Sequence, residues 1–146
     1  PSEIPSYFDE RQVLISGKGY KYSCFTMIGC GIAILLYEAA GLPAFATSGA
    51  LLWICIILGL LVRAIYSIWN EAYFAVNASK KATLLPLSIL GIILTFSGID
   101  HILDGKLLEN GLITWYIIFP LYGITILLVW ITVGIKALKE RKDEDA

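Results

Sequence analysis

The chain has 146 residues and a net charge of −1; it is 58% hydrophobic but only 16% charged, for a mean hydropathy of +0.75. Soluble domains sit near half apolar and a quarter charged, and a single domain this small leaves too much of its chain exposed to hide such a surplus from water. That balance excludes an ordinary soluble domain, and the even mixture of 11 basic and 12 acidic residues leaves no global footprint for direct nucleic-acid binding.

The chain begins with Pro1 rather than Met, so a few native residues are expected in front of it. Residues 1–21 form a charge-mixed segment, expected to be helical and cytoplasmic. Ser6, with Asp9 three residues on, reads as a helix start. Asp9 and Glu10 suit the positive end of a helix dipole. Lys18 and Lys21 suit an anionic membrane surface, with Tyr20 and Tyr22 at headgroup depth.

Four apolar runs long enough to cross a bilayer follow, at about 22–40, 49–68, 82–99 and 112–135. In the first, Gly29 and Ala33, with Tyr37 a turn further on, put small residues on one face. Packing of that face inside the chain is expected ahead of a homodimer contact. Cys24, Cys30 and Cys55 lie in apolar runs, form no CxxC pair, and read as small hydrophobes. In the break after the first run, Ala44-Phe45-Ala46 looks like a signal cleavage site, but the long acid-bearing segment ahead of that run speaks against a signal peptide.

The helical pattern of the second run continues to residue 79, about 46 Å against a hydrocarbon core of ~30 Å. Arg63, Ser67, Asn70, Asn77 and Lys81 share one arc of it. That helix is expected either to tilt and protrude into the cytoplasm or to bend and lie at the interface, with Phe74 favouring a break near it and Arg63 snorkelling to the cytoplasmic surface. Pro86 falls in the first turns of the third run, and Pro120 is expected to kink the fourth, with Thr125 meeting part of the freed backbone demand.

Between the third and fourth runs, DHILDGKLLENG (100–111) is acidic and rich in helix breakers. If the third helix continues outward, Asp100, His101 and Asp104 meet on one side, near Glu109 and Glu38. Two carboxylates and an imidazole make a candidate external cation or pH-sensing site; a solvated turn is the plainer reading, and no metal centre is expected. Residues 136–146 form a charged tail.

Charge placement sets the orientation. Arg11, Lys18, Lys21, Arg63, Lys80, Lys81, Lys136, Lys139, Arg141 and Lys142 fall at one side of the membrane, and Lys106 alone at the other. By the positive-inside rule both termini are cytoplasmic in a multi-pass protein of the cell membrane. Tyr66, Trp69 and Tyr73 suit an inner aromatic belt, and Trp115 and Tyr116 an outer one. Only helices or closed barrels satisfy the backbone in lipid, and short connections make sequential helices antiparallel neighbours. The expected fold is all-α, a four-helix transmembrane bundle with N-in/C-in topology.

No ionisable residue sits in the middle of a run, so the bundle core is expected to carry no continuous water path. A polar lining of Ser88, Thr95 and Thr125 would instead favour transport. GKG at 17–19 lacks the rest of a phosphate loop, and the chain has neither HExxH nor a Ser-His-Asp set. Neither catalysis nor a cofactor is expected.

DERQ (9–12), then GKGYKYSCFT (17–26) at the entry to the first run, resembles a class of small integral membrane proteins from Firmicutes with a DERQ…GKxxKY segment and no assigned activity. SIWNEAYFAVNASKK (67–81) is similar to their polar inner loop. The likeness covers the first third of the chain, and the rest only as hydropathy. Some of those proteins are encoded beside small helix-turn-helix repressors, so the resemblance implies a bacterial, non-catalytic regulator that holds a cytoplasmic partner at its inner face. Asp9, Glu10, Arg11, Arg63, Asn70 and Glu71 are the candidate docking residues. The alternative is a small transporter, channel or accessory transport subunit acting as an oligomer.

Overall fold

The structure, a computed structural model, describes residues 8–74 and 80–144. The Ser6 helix start and most of the continuation of the second helix toward residue 79 therefore lie outside the described residues. Helix α1 spans Glu10–Ala39, α2 Ser48–Trp69, α3 Lys80–Leu103 and α4 Ile118–Glu144. All four are long and apolar enough to cross a membrane, which makes this an all-α, multi-pass membrane protein.

Helix α1 begins at a capping box. The Asp9 carboxylate accepts the Gln12 backbone N–H at 2.6 Å, and the Gln12 side-chain oxygen accepts that of Asp9 at 3.3 Å. Two otherwise orphaned donors are met reciprocally. The charge-mixed segment from Glu10 onward and the first span are thus one continuous helix of 30 residues.

Helix α2 starts at Thr47 and stops at Trp69, short of the continuation expected from its periodicity. Its last carbonyls explain the stop. The Ala72 N–H returns to the Ser67 carbonyl at 2.9 Å, and the Glu71 N–H to that of Ile68 at 3.2 Å, with Glu71 in the left-handed region at φ 61°. This is a Schellman turn, here without the usual glycine.

Helix α4 follows a 3₁₀ turn, Trp115–Ile117, so Pro120 falls in its first turn rather than mid-span. A first-turn proline removes a donor the helix does not use, so the expected kink has no cause. Past the apolar run, α4 continues through Lys136 to Glu144, making part of the charged tail helical.

Between α3 and α4 the chain folds a short antiparallel hairpin, with β1 (Leu108–Glu109) paired to β2 (Leu112–Ile113). Asn110 (φ 52°) and Gly111 (φ 79°) form the two-residue turn, both in the left-handed region that this tight reversal demands. Ile113 also pairs with the first loop: its N–H reaches the Phe45 carbonyl at 3.0 Å, and its carbonyl accepts from Thr47 N–H at 2.8 Å. The loops at this hairpin end are therefore stitched together.

The extensive helix pairings are α1 with α2, α2 with α4, and α4 with α3. Helix α4, not the sequence neighbour α3, lies against α2. Small residues set the approaches. A Cβ on Gly59 would lie 2.5 Å from Met27 Cγ and 3.1 Å from the Ser23 carbonyl of α1. One on Gly98 would lie 2.8 Å from Phe119 Cβ of α4. The expected intrachain face at Gly29 is not used: nothing lies within 4 Å of where its Cβ would be. The reason is rotational, because the α1 residues buried against α2 are Gly19 and Ser23.

Ile68, Leu84 and Val129 form a tight cluster toward the basic end, flanked by Leu61, Tyr73 and Val133. Elsewhere large apolar side chains point outward, among them Leu35, Phe96 and Leu127, each more than 60% exposed. That inversion suits lipid, which solvates such groups as well as a protein core does.

Candidate functional site

At the basic end, α1 and α4 both fasten onto the C-terminus of α2. Gln12 Nε2 donates to the carbonyls of Glu71 (2.7 Å) and Phe74 (3.0 Å). From the other side, Lys136 Nζ donates to the carbonyls of Ile68 (2.9 Å) and Trp69 (3.4 Å), and pairs with Glu71 at 3.5 Å and Glu140 at 3.6 Å. The last four carbonyls of α2 are thereby all met: Tyr66 by Asn70, Ser67 by Ala72, and Ile68 and Trp69 by the lysine. A cation at a helix C-terminus also opposes its negative dipole end.

The six candidate docking residues divide into different roles. Glu10 and Arg11 are exposed on the first turn of α1. Asp9 caps that helix, Asn70 Nδ2 donates to the Tyr66 carbonyl of its own helix, and Glu71 forms the corner clasped by Gln12 and Lys136. Arg63 is not on the same surface. Its guanidinium carbon lies 3.7 Å from the centre of the Tyr20 ring, a cation–π stack between α2 and α1.

Arg63 and Tyr20 line a cleft of about 850 Å³ that all four helices contribute to. It reaches from Phe8 and Ala72 at the basic end to Ile57 and Tyr122. Gln12, Ser16, Ser67 and Thr125 add polar groups, while Leu60, Leu87, Ile126 and Val129 make most of the wall apolar. Tyr73, in the turn after α2, also lines it. Burial pushes the Tyr73 phenol up, the nearby Arg63 charge partly opposes this, and Tyr122 adds a smaller rise, so the group stays a neutral hydroxyl at physiological pH.

The cleft is not the polar lining of Ser88, Thr95 and Thr125 that would favour transport. Of these only Thr125 lines it, and its hydroxyl donates to the Leu121 carbonyl at 2.8 Å. Ser88 donates to Leu84 and accepts from Trp130 Nε1 at 2.8 Å, while Thr95 donates to Gly91 and packs on Gly123. Two of the three hydroxyls are absorbed in α3–α4 packing.

At the hairpin end, the candidate cation or pH site is not assembled. His101 packs its ring against Tyr116 (4.5 Å between centroids) and Phe119 (5.1 Å), with Trp115 stacked on Tyr116. Its Nδ1 is buried without a hydrogen-bond partner among the described residues. Asp104 turns to Lys106 instead, at 2.9 Å; that hydrogen bond and charge hold its carboxyl below the usual range and raise the lysine. Asp100, Glu109 and Glu38 are exposed. Among the described residues no group of three or more His, Cys, Asp or Glu side chains is placed to hold a metal ion.

Sequence reasoning missed Gln12 and the role of Lys136. Gln12 sits in the capping-box position, which is a local signal, but its second task depends on a turn 59 residues away. The Asn110-Gly111 pair, between Leu108-Glu109 and Leu112-Ile113, was a readable hairpin signal. No protein-family model, no curated protein and no solved structure matches this chain.

Proposed function

We propose that this is a non-catalytic regulatory protein of the bacterial cell membrane, oriented with both termini in the cytoplasm, that holds or modulates a cytoplasmic partner. A helix-turn-helix repressor is the partner implied by the resemblance to the Firmicutes class. The observation that carries the reading is the helical continuation of α4 beyond the α2 corner. From Lys136 to Glu144 it extends about 12 Å as a rigid rod bearing Lys139, Glu140, Arg141 and Lys142. Glu10 and Arg11 of α1 are exposed at the same end. Because Gln12 and Lys136 clamp both helices to one corner, the charged groups are presented in a fixed relation, which lowers the ordering cost of recognition.

The test is co-purification of a helix-turn-helix repressor, co-expressed with this protein, from detergent extracts of cross-linked membranes. Reversing Lys139, Arg141 and Lys142 to Glu, with Glu10→Lys and Arg11→Glu, should abolish recovery while membrane yield is kept. Asp9 is left intact because it caps α1. Equal recovery from the reversed variant removes the binding face and with it this reading.

A transport role, as a small carrier or accessory subunit acting as an oligomer, is favoured by one observation, the cleft that reaches Tyr122 and Thr125. Solute flux into liposomes that depends on Thr125 would bring that reading forward.

A further inference from the structure

Arg63 lies six residues before the end of α2, about 9 Å deeper than Trp69 along the helix axis. The residue is partly buried, and a charge removed from water in part is stabilised by an anionic partner. Among the described residues no carboxylate pairs with Arg63, and burial keeps the nearby Tyr73 phenol neutral. Arg63 lines the 850 Å³ cleft together with the polar groups Gln12, Ser16, Ser67 and Tyr73. Most of the remaining wall is apolar, with Leu60, Leu87, Ile126 and Val129.

We infer that the cleft binds an anionic amphiphile, with a carboxylate or phosphate head on Arg63 and an acyl chain along Leu60, Leu87 and Ile126. A free soluble anion would leave most of the wall uncovered, and a neutral lipid would leave the guanidinium uncompensated. Both defects are removed by one molecule with a charged head and an apolar tail. The planar fork of arginine matches a carboxylate or phosphate in bidentate fashion, and Tyr20 holds that fork from one side at 3.7 Å. A volume of 850 Å³ falls within the ~300–1,000 Å³ typical of ligand sites. Access is from the bilayer: α1 and α3 flank the cleft without extensive pairing, so a chain can enter between them. The inference does not rest on the regulatory reading above.

The experiment is native mass spectrometry of the full chain, delipidated in non-ionic detergent and titrated separately with oleate, phosphatidylglycerol and phosphatidylcholine. Oleate binding identifies a free fatty acid as an occupant, and phosphatidylglycerol binding identifies a bilayer lipid. Either anion, or both, should bind at least about tenfold tighter than phosphatidylcholine, the factor expected for one charge-assisted pair. Arg63→Gln should lose that preference and Arg63→Lys should keep part of it. Leu87→Trp, which fills the tail path and leaves Arg63 in place, should lower binding of the same anion, so the result does not depend on one variant folding. Equal binding of phosphatidylcholine, no binding of either anion, or unchanged binding in both Arg63→Gln and Leu87→Trp overturns the inference.

Discussion

Lys136 of α4 reaches across to the end of α2, where its ammonium lies 2.9 Å from the Ile68 carbonyl oxygen. The two residues are 68 apart in the chain, yet one side chain completes the hydrogen bonding of a helix terminus that lacks a glycine cap. The lysine side chain is only 12% exposed, so water is a poor substitute for it. Lys136→Met keeps the apolar stem and removes the donors. Its unfolding free energy in mixed micelles should fall by about 2 kcal/mol, as for other hydrogen bonds from charged groups. A loss under ~0.5 kcal/mol would show that the contact contributes little to the fold.

Glu71 makes the opposite case. Its φ of 61° costs about 1 kcal/mol in a residue with a Cβ, whereas its ion pair with Lys136 is 63% exposed on the glutamate side. Relief of backbone strain should outweigh loss of the pair. Glu71→Gly is therefore expected to raise stability, and Glu71→Gln to change it little. A Gly variant less stable than the Gln variant would mean that the ion pair dominates.

The glycines of the first two helices should respond oppositely to bulk. Gly59→Leu drives a side chain into Met27 and the Ser23 backbone, with an expected cost of about 1–3 kcal/mol. Gly29→Leu enters open space and should stay within about 0.5 kcal/mol of the parent. Sedimentation of the Gly29 variant in detergent gives a second readout. A shift to a smaller species would show that this face joins two copies.

Cys30 of α1 and Cys55 of α2 are neighbours across the α1–α2 contact. Copper phenanthroline in air should join them, the two thiols losing two protons and two electrons to copper(II) and oxygen. Denatured thiol titration should then fall from three groups to one, with Cys24 remaining. Three titratable thiols after oxidation would place α1 in a different register on α2.

Orientation is tested on a cysteine-free background. Lys139→Cys and Glu10→Cys should be shielded from impermeant maleimide in intact cells, and Asp104→Cys should be labelled. The asymmetry of lysine and arginine motivates this expectation. Labelling at residue 139 from outside would reverse the topology and remove the cytoplasmic docking face.

The number and approximate place of the spans were determined by the sequence alone, because backbone satisfaction in lipid requires long apolar helices and their length follows from the rise per residue. So, in principle, was the hairpin, since Asn110-Gly111 is a local conformational preference. Helix partners were not legible. Nearly every face of α1 is apolar, so hydropathy does not distinguish Gly19 and Ser23, which meet α2, from Gly29, where a Cβ would find nothing within 4 Å among the described residues. The end of α2 was likewise decided elsewhere: periodicity runs on past Trp69, but Gln12 and Lys136 supply donors to a turn that local propensity does not favour. For the same reason Arg63 read as a charge bound for the membrane surface. Only assembly of the helices stacks the guanidinium on Tyr20 of α1 and makes it part of a cleft wall. Local geometry and solvent preference act within one segment, whereas these contacts depend on side chains from segments that meet only after the helices assemble.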